Sequence, residues 1–385
     1  MTQDSTKPIP FGRPMFDGQE LAEIAKVLES GILVHGEKTH SFEAAFAARV
    51  GTRHAVSVSS CTAGLHLCLF AQGIGPGARV AVPAMTHVAT AHAVELVGAT
   101  PVFIDVDPAT GNIDPGQLGE ISGPLDAIMV VHYLGLPCDM DRIMRVAAAK
   151  NAKVIEDCAL SVDATFDGRK TGTLGQAGCF SFYPIKHMTS IEGGMVTTND
   201  DALAAAVRQR RAFGYDRTVA ERAKPGIYDV TALGFNYRMS EVEAAVGLVQ
   251  LGKLDDFQKR RARNFDALYK ALAGIDGVTV MPGRAGKAVS SHYCLNVVMP
   301  KDGSIDRDAV VAALKTRGIG TSVHYPEAVP LFAYYRQKYG FKTEAFKTAS
   351  WLANGTISLP VGPHVDEADI ARMAVAVREA VASAR

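Results

Sequence analysis

The chain reads as an α/β protein with a large domain on a mostly parallel sheet between helices and a smaller C-terminal α+β domain. Three observations predict this. Short β-branched runs alternate with helix-forming stretches from about His54 to Val196, the pattern of a sheet covered on both faces. At 385 residues the chain exceeds what one hydrophobic core usually holds. Beyond residue 250 strand-like and helix-like runs come mixed, so the division is expected at 1–250, including the N-terminal segment, and 251–385.

His54–Val58, Arg79–Val82, Val102–Ile104, Ala127–Val131 and Lys153–Glu156 supply the strands. Between them, Thr62–Ala71 and Val88–Val97 are rich in helix formers, and Asp139–Lys150 opens on an acidic N-cap candidate. Gly73–Gly77 reads as a turn, because it fits neither GxGxxG nor GxxxxGK[ST]. A long helical pattern past Glu241, through Leu251 and Leu268, bridges to the second domain. There Val278–Met281 and His292–Met299 read as strands, with helices at Asp306–Thr316 and Asp366–Ser383. Ligands of such sheets collect at the carboxyl ends of the strands, so residues just after each strand are the ones to examine.

Lys plus Arg and Asp plus Glu number 40 each and are dispersed, without the basic stripe that a nucleic-acid backbone demands. Met1–Pro10 is polar and lacks the basic start and apolar run of a secretory signal. No apolar stretch approaches the roughly 20 residues that span a bilayer. A cytoplasmic protein without nucleic-acid or membrane partners is expected. Six scattered cysteines, never paired as CxxC, read as reduced core thiols, and no metal site is expected.

Three stretches could carry chemistry. In Gly178–Asp200 a lysine, Lys186, follows an aromatic strand-like run, and six residues separate it from a Gly-Gly pair. Set among Phe180, Phe182, Tyr183 and Ile185 it would be desolvated toward a nucleophilic amine; a lysine snorkelling from a strand end fits the spacing as well. In Lys153–Ala164, Glu156-Asp157 closes a strand, where a carboxylate facing a cleft could serve a heterocyclic nitrogen or simply cap a helix. In Ala55–Leu69 a strand runs through Ser59-Ser60-Cys61-Thr62-Ala63-Gly64 into a helix, an N-terminus suited to a phosphate or to plain capping.

Taken in order, the SSCTAGLHL run from Ser59, PAMTHVATAHAVE from Pro83, EDCA from Glu156, SFYPIK from Ser181 with EGGMVTTND after it, and GFNYRMSEVEAAVGLVQL from Gly234 resemble the DegT/DnrJ/EryC1/StrS sugar aminotransferases. These are fold type I enzymes dependent on pyridoxal 5'-phosphate (PLP), and the resemblance spans nearly the whole chain. It implies Lys186 as Schiff-base lysine and general base, and Asp157 as partner of the pyridinium nitrogen. His87 would stack on the cofactor ring, and Thr62, Ala63 and Ser181 would hold the phosphate. Asn236 would reach the same phosphate from the other subunit of a homodimer with shared sites. Glu192, in the Glu192-Gly193-Gly194 turn, would pass near substrate, as would Gly12, Arg13, His132 and His324. Histidines at strand ends also serve as packing or capping residues, and that alternative stays open for His132 and His324.

The resemblance also implies the reaction: an amino acid, glutamate by analogy, donates its amino group, and a nucleotide-linked keto-sugar, specifically a 4-keto-6-deoxyhexose, accepts it. The alternatives are a keto-cyclitol or aminoglycoside precursor as acceptor, or a regulatory protein that binds the cofactor without turnover. Lys186 opposes the dehydratases of this group, which carry histidine there. Two positions depart from the pattern: Cys61 replaces a glycine, and Leu160 replaces a glutamine that hydrogen-bonds the cofactor's 3-hydroxyl.

Overall fold

The computed structural model describes residues 7–217, 224 and 226–385; the first six residues of the polar Met1–Pro10 stretch lie outside the described residues. Seven strands form the main sheet: β1 (His54–Val58), β2 (Arg79–Pro83), β3 (Thr100–Ile104), β4 (Ala127–Val131), β5 (Lys153–Asp157), β6 (Ala177–Ser181) and β7 (Gly194–Thr198). Their spatial order is β1-β7-β6-β5-β4-β2-β3, with only β7 antiparallel to its neighbours. Nearly every position of β4, β5, β6 and β7 is buried, as a sheet covered on both faces requires.

The reversed direction of β7 decides where Lys186 sits. Because β7 begins where β6 ends, the connection 182–193 never leaves the edge at which β1, β4 and β5 also finish. Lys186 is therefore held over the carboxyl ends of the strands. The connection must turn tightly, and Gly193 adopts φ +135°, outside the range of ordinary side chains. Gly194 has no room for a side chain either: a Cβ there would lie 2.5 Å from the Ser60 carbonyl carbon and 2.6 Å from the Cys61 nitrogen. The glycine pair thus lets the helix Cys61–Ala71 begin directly against the lysine-bearing connection.

The helix Glu241–Leu272 carries a Ser240/Glu243 capping box and runs for 32 residues. Its Glu241 carboxylate accepts the Lys38 and Thr39 N–H groups, capping the helix Glu37–Val50 at 2.8 and 3.2 Å. The expected division after residue 250 falls inside this continuous helix. Past it, Thr279–Val280, Leu295–Val298 and Thr356–Leu359 make a three-stranded antiparallel sheet, packed with Arg307–Thr316 and Glu367–Ser383 around a second apolar core. The N-terminal segment joins that core: Ile9 N–H donates to Gly318, and Gly320 N–H donates back to Ile9. All six cysteines are buried and free, and Cys68 and Cys179 bring their sulfurs to 3.6 Å. Among the described residues no helix is long and apolar enough to cross a membrane.

Candidate active site

Lys186 is half-buried, its Nζ 5.3 Å from the centre of the Tyr293 ring. Burial lowers its pKa from the ordinary 10.5, against the opposing pull of Cys61, Asp157 and Cys294. The apolar setting anticipated from the sequence is present, but other residues provide it. Phe180 and Phe182 point to the opposite side of the sheet and pack with Phe42 and Phe46, and Tyr183 is exposed. That is the alternation of a strand: Cys179 and Ser181 face the helix and the cleft while Phe180 and Phe182 face away.

Asp157 closes β5 and is buried. Its Oδ2 accepts from Thr90 Oγ1 at 2.8 Å, and its Oδ1 accepts from Ala159 N–H at 3.1 Å and from the Cys61 thiol at 3.9 Å. The neighbouring carboxylate adds to the burial that raises the Cys61 thiol far above its usual range. Beside them Ser60 caps the helix Cys61–Ala71, taking the Ala63 N–H at 3.1 Å. Thr62 is half-buried at this positive helix end, and Ser181, at the end of β6, pairs with Gly194, which lies against the Ser60–Cys61 peptide. His87 caps the helix Val88–Leu96 by accepting the Ala89 N–H at Nδ1, and its exposed ring stands 5.8 Å edge-on from Tyr325. Desolvation and then the Lys186 charge lower its pKa.

An amine, a carboxylate, a ring-bearing cap and a helix N-terminus thus converge on one edge of the sheet. Residues 14–378 match the DegT/DnrJ/EryC1/StrS aminotransferase family. The chain belongs to that family. The aminotransferase is 38% identical over 392 residues to the spore coat polysaccharide biosynthesis protein SpsC of Bacillus subtilis, with both chains covered in full. DesI, solved in the presence of its TDP-sugar product, is 33% identical with a TM-score of 0.87, over 98% of this chain and 93% of that one. A Streptococcus pneumoniae protein solved in PLP and PMP (pyridoxamine phosphate) forms is 25% identical, with TM-scores of 0.90 and 0.91, over 98% of this chain and all of the other.

PLP is the family's cofactor, and the residues of this aminotransferase fit it. Asp157 keeps acceptor capacity beyond its three donors, Lys186 is an amine that burial biases toward the neutral form, and the helix start at Thr62 offers N–H groups and the positive end of a dipole. Ala63 fits less well, because Ser60 already takes its N–H. Leu160 is buried and apolar, so its side chain supplies no hydrogen bond.

The other expected residues scatter. Gly12 lies against Ile185, where a Cβ would come to 2.8 Å, so the Gly12-Arg13 segment borders the lysine connection, with Arg13 exposed. Glu192 is exposed beside Gly193. Asn236 is exposed on the segment that meets β1 through the bond from Ser59 N–H to the Tyr237 carbonyl. His324 is buried, with a pKa pushed down to about 3 by burial and then by Lys186 and His87. Ser358 Oγ donates to Asn296, so His324 Nδ1 carries a proton toward Ser358 at 2.9 Å and leaves Nε2 as an acceptor.

His132 does not reach the cleft. It has no exposed surface, its Nδ1 accepts the Cys138 N–H, and its Nε2 donates to Glu156 at 3.0 Å. Successive residues of a strand face opposite ways, so Glu156 points away from the side that Asp157 serves and pairs with His132 there. With Cys158 these two form the one metal-sized group of side chains among the described residues. Glu156 already accepts N–H bonds from Gly172, Leu174 and Gly175 at 2.7 to 2.8 Å, so its oxygens serve the fold. Sequence reasoning missed Thr90, Tyr293 and Tyr325. Thr90 lies three residues after His87, the spacing that puts both on one helix face, and this was the available signal.

Proposed function

We propose that this aminotransferase transfers an amino group from an amino acid, glutamate by family analogy, to a nucleotide-linked keto-sugar, with a 4-keto-6-deoxyhexose as the preferred acceptor. The observation that carries the reading is the meeting of Lys186 and Asp157 at one strand-end edge, with a helix N-terminus between them for a phosphate. When bound, PLP stores the amino group and draws the electrons of the substrate carbanion into its ring. Lys186 would hold the cofactor and, as an amine that burial biases toward the neutral form, would move the proton at the substrate carbon. Asp157 holds a proton on the ring nitrogen, His87 covers one face of the ring, and Thr62 and Ser181 bind the phosphate. His324, with its open Nε2, and the Gly12-Arg13 and Glu192 segments line the acceptor's side.

Asn236 completes the phosphate site of a partner subunit in a homodimer. Exposed Ile32, Leu33, Tyr183, Ile191, Phe213 and Leu233 support this, since apolar surface beside a site is what an interface covers. The sugar acceptor is supported by the polysaccharide role in SpsC's name and by the TDP-sugar of DesI. Borohydride reduction of the yellow protein should fix the cofactor to the peptide containing Lys186, and label on another lysine would refute the assignment. For the acceptor, the enzyme is converted to its amine form with glutamate, freed of donor and offered one ketone at a time. Return of the visible band with a nucleotide keto-sugar supports the reading, whereas return with a free keto-inositol alone moves the enzyme to the cyclitol class.

A further inference from the structure

Asp157 can serve a ring nitrogen only if its carboxylate is held in one orientation, and a carboxylate at a strand end has a rotatable side chain. The structure surrounds it with a short buried relay. Thr86 and Thr90 place their hydroxyls 2.8 Å apart, and Thr90 Oγ1 is 2.8 Å from Asp157 Oδ2. All three residues are at most 4% exposed. Thr90 has one proton and gives it to the carboxylate, so the proton between the two threonines belongs to Thr86. The helix that carries Thr90 follows β2, which is separated from β5 by β4; its first turn therefore reaches across a strand to arrive at Asp157.

We propose that Thr90, backed by Thr86, is a positioning residue that fixes the Asp157 carboxylate toward the cofactor's ring nitrogen. Two fixed donors, the Ala159 N–H on Oδ1 and the Thr90 hydroxyl on Oδ2, define the carboxylate plane. The Cys61 thiol at 3.9 Å adds a weaker third. The lone pairs left over then point one way. The stretch from Thr86 to Thr90 thus carries both the ring-stacking His87 and the orienter of Asp157. This inference rests on the assignment of Lys186 and Asp157 to the cofactor.

The test is the pH titration of the lysine-bound cofactor's visible band in the holoenzyme, with Thr90→Val, Thr90→Ser and Thr86→Val. A cationic ring disfavours a second positive charge on the nearby linkage nitrogen, so a poorly held Asp157 lets that nitrogen keep its proton to higher pH. In Thr90→Val the midpoint should rise by about half a pH unit or more, and cofactor retention should weaken roughly tenfold, as expected for losing one hydrogen bond to a charged group. Thr90→Ser, which keeps the hydroxyl, should restore both. A midpoint and retention in Thr90→Val equal to the parent's would overturn the proposal. If that variant does not fold, Thr86→Val decides: it removes only the outer donor, and an unmoved midpoint there counts against the relay. Borohydride labelling of the parent, run alongside, separates the two levels. Absence of label on Lys186 removes the cofactor assignment itself, while intact label with no shift in the variants removes the relay alone.

Discussion

Replacing Glu156 by glutamine should cost far more than a neutral, isosteric change suggests. Its Oε1 accepts the Leu174 and Gly175 N–H groups at 2.7 and 2.8 Å, and its Oε2 accepts Gly172 N–H at 2.8 Å and His132 Nε2 at 3.0 Å. A glutamine presents an amide NH2 at one of those two places. Whichever way it is turned, that NH2 then faces two donors in a buried region. His132 cannot relieve this by changing tautomer, because its other nitrogen already accepts the Cys138 N–H. Each hydrogen bond to a charged group contributes about 1.5–3 kcal/mol, so the loss should total roughly 3–6 kcal/mol. That is a large part of a typical stability of about 5–15 kcal/mol. Thermal and urea unfolding of Glu156→Gln beside the parent provide the assay, with a fall in melting temperature of about 4–7 °C expected for a chain of 385 residues. A shift within about 2 °C would mean that these bonds do not hold the end of β5.

Three further outcomes are expected. Because burial depresses the Lys186 pKa, its amine should react with added PLP in the cofactor-free protein along a pH profile whose midpoint lies below 10.5; a midpoint at or above that value contradicts the burial argument. Burial lowers His292 to about 4 and His324 to about 3 from an ordinary 6.5. The unfolded chain therefore takes up protons below 6.5 that the folded chain refuses, and each histidine makes stability fall on acidification by up to about 1.4 kcal/mol per pH unit. His292→Gln should flatten that slope between pH 6.5 and 4, and an unchanged slope in urea titrations would exclude the effect. Asn236→Ala should speed PLP loss on dialysis without lowering the melting temperature, and sedimentation should show the parent as a dimer; a fully active monomer would defeat the shared site.

The parallel core was legible because its strands are short stretches centred on apolar, often β-branched residues between turn signals, as in AIMVV and the Val-Ile of KVIED. The direction of β7 was not, since GMVTT is a small, β-branched, buried stretch like the strands that run the other way, and direction leaves no local mark. The helix Glu37–Val50 escaped for a related reason, since it is capped by Glu241, some 200 residues away, a partner no local pattern reveals; Gly18–Ser30 carries a local Asp17/Glu20 capping box and was readable in principle. At the site, Lys186 and Asp157 stood out only through the ordered set of motifs. The companions of Lys186 were misread because Phe180 and Phe182 are near in sequence but on the opposite face. His132 was misplaced for the same geometric reason, its strand end turning it toward Glu156 rather than the cleft.

The six buried thiols have a practical consequence. Burial raises the pKa of Cys61, Cys138, Cys158, Cys179 and Cys294, and a thiol held protonated inside the protein does not react with disulfide reagents at neutral pH. The folded enzyme should therefore be silent toward such a reagent, and every equivalent consumed would report a local or global opening. The chain carries its own clock for unfolding. Cys61, which also touches Asp157, would signal when the cofactor edge opens, and Cys138, under the His132 side of the sheet, would signal when the scaffold behind it does.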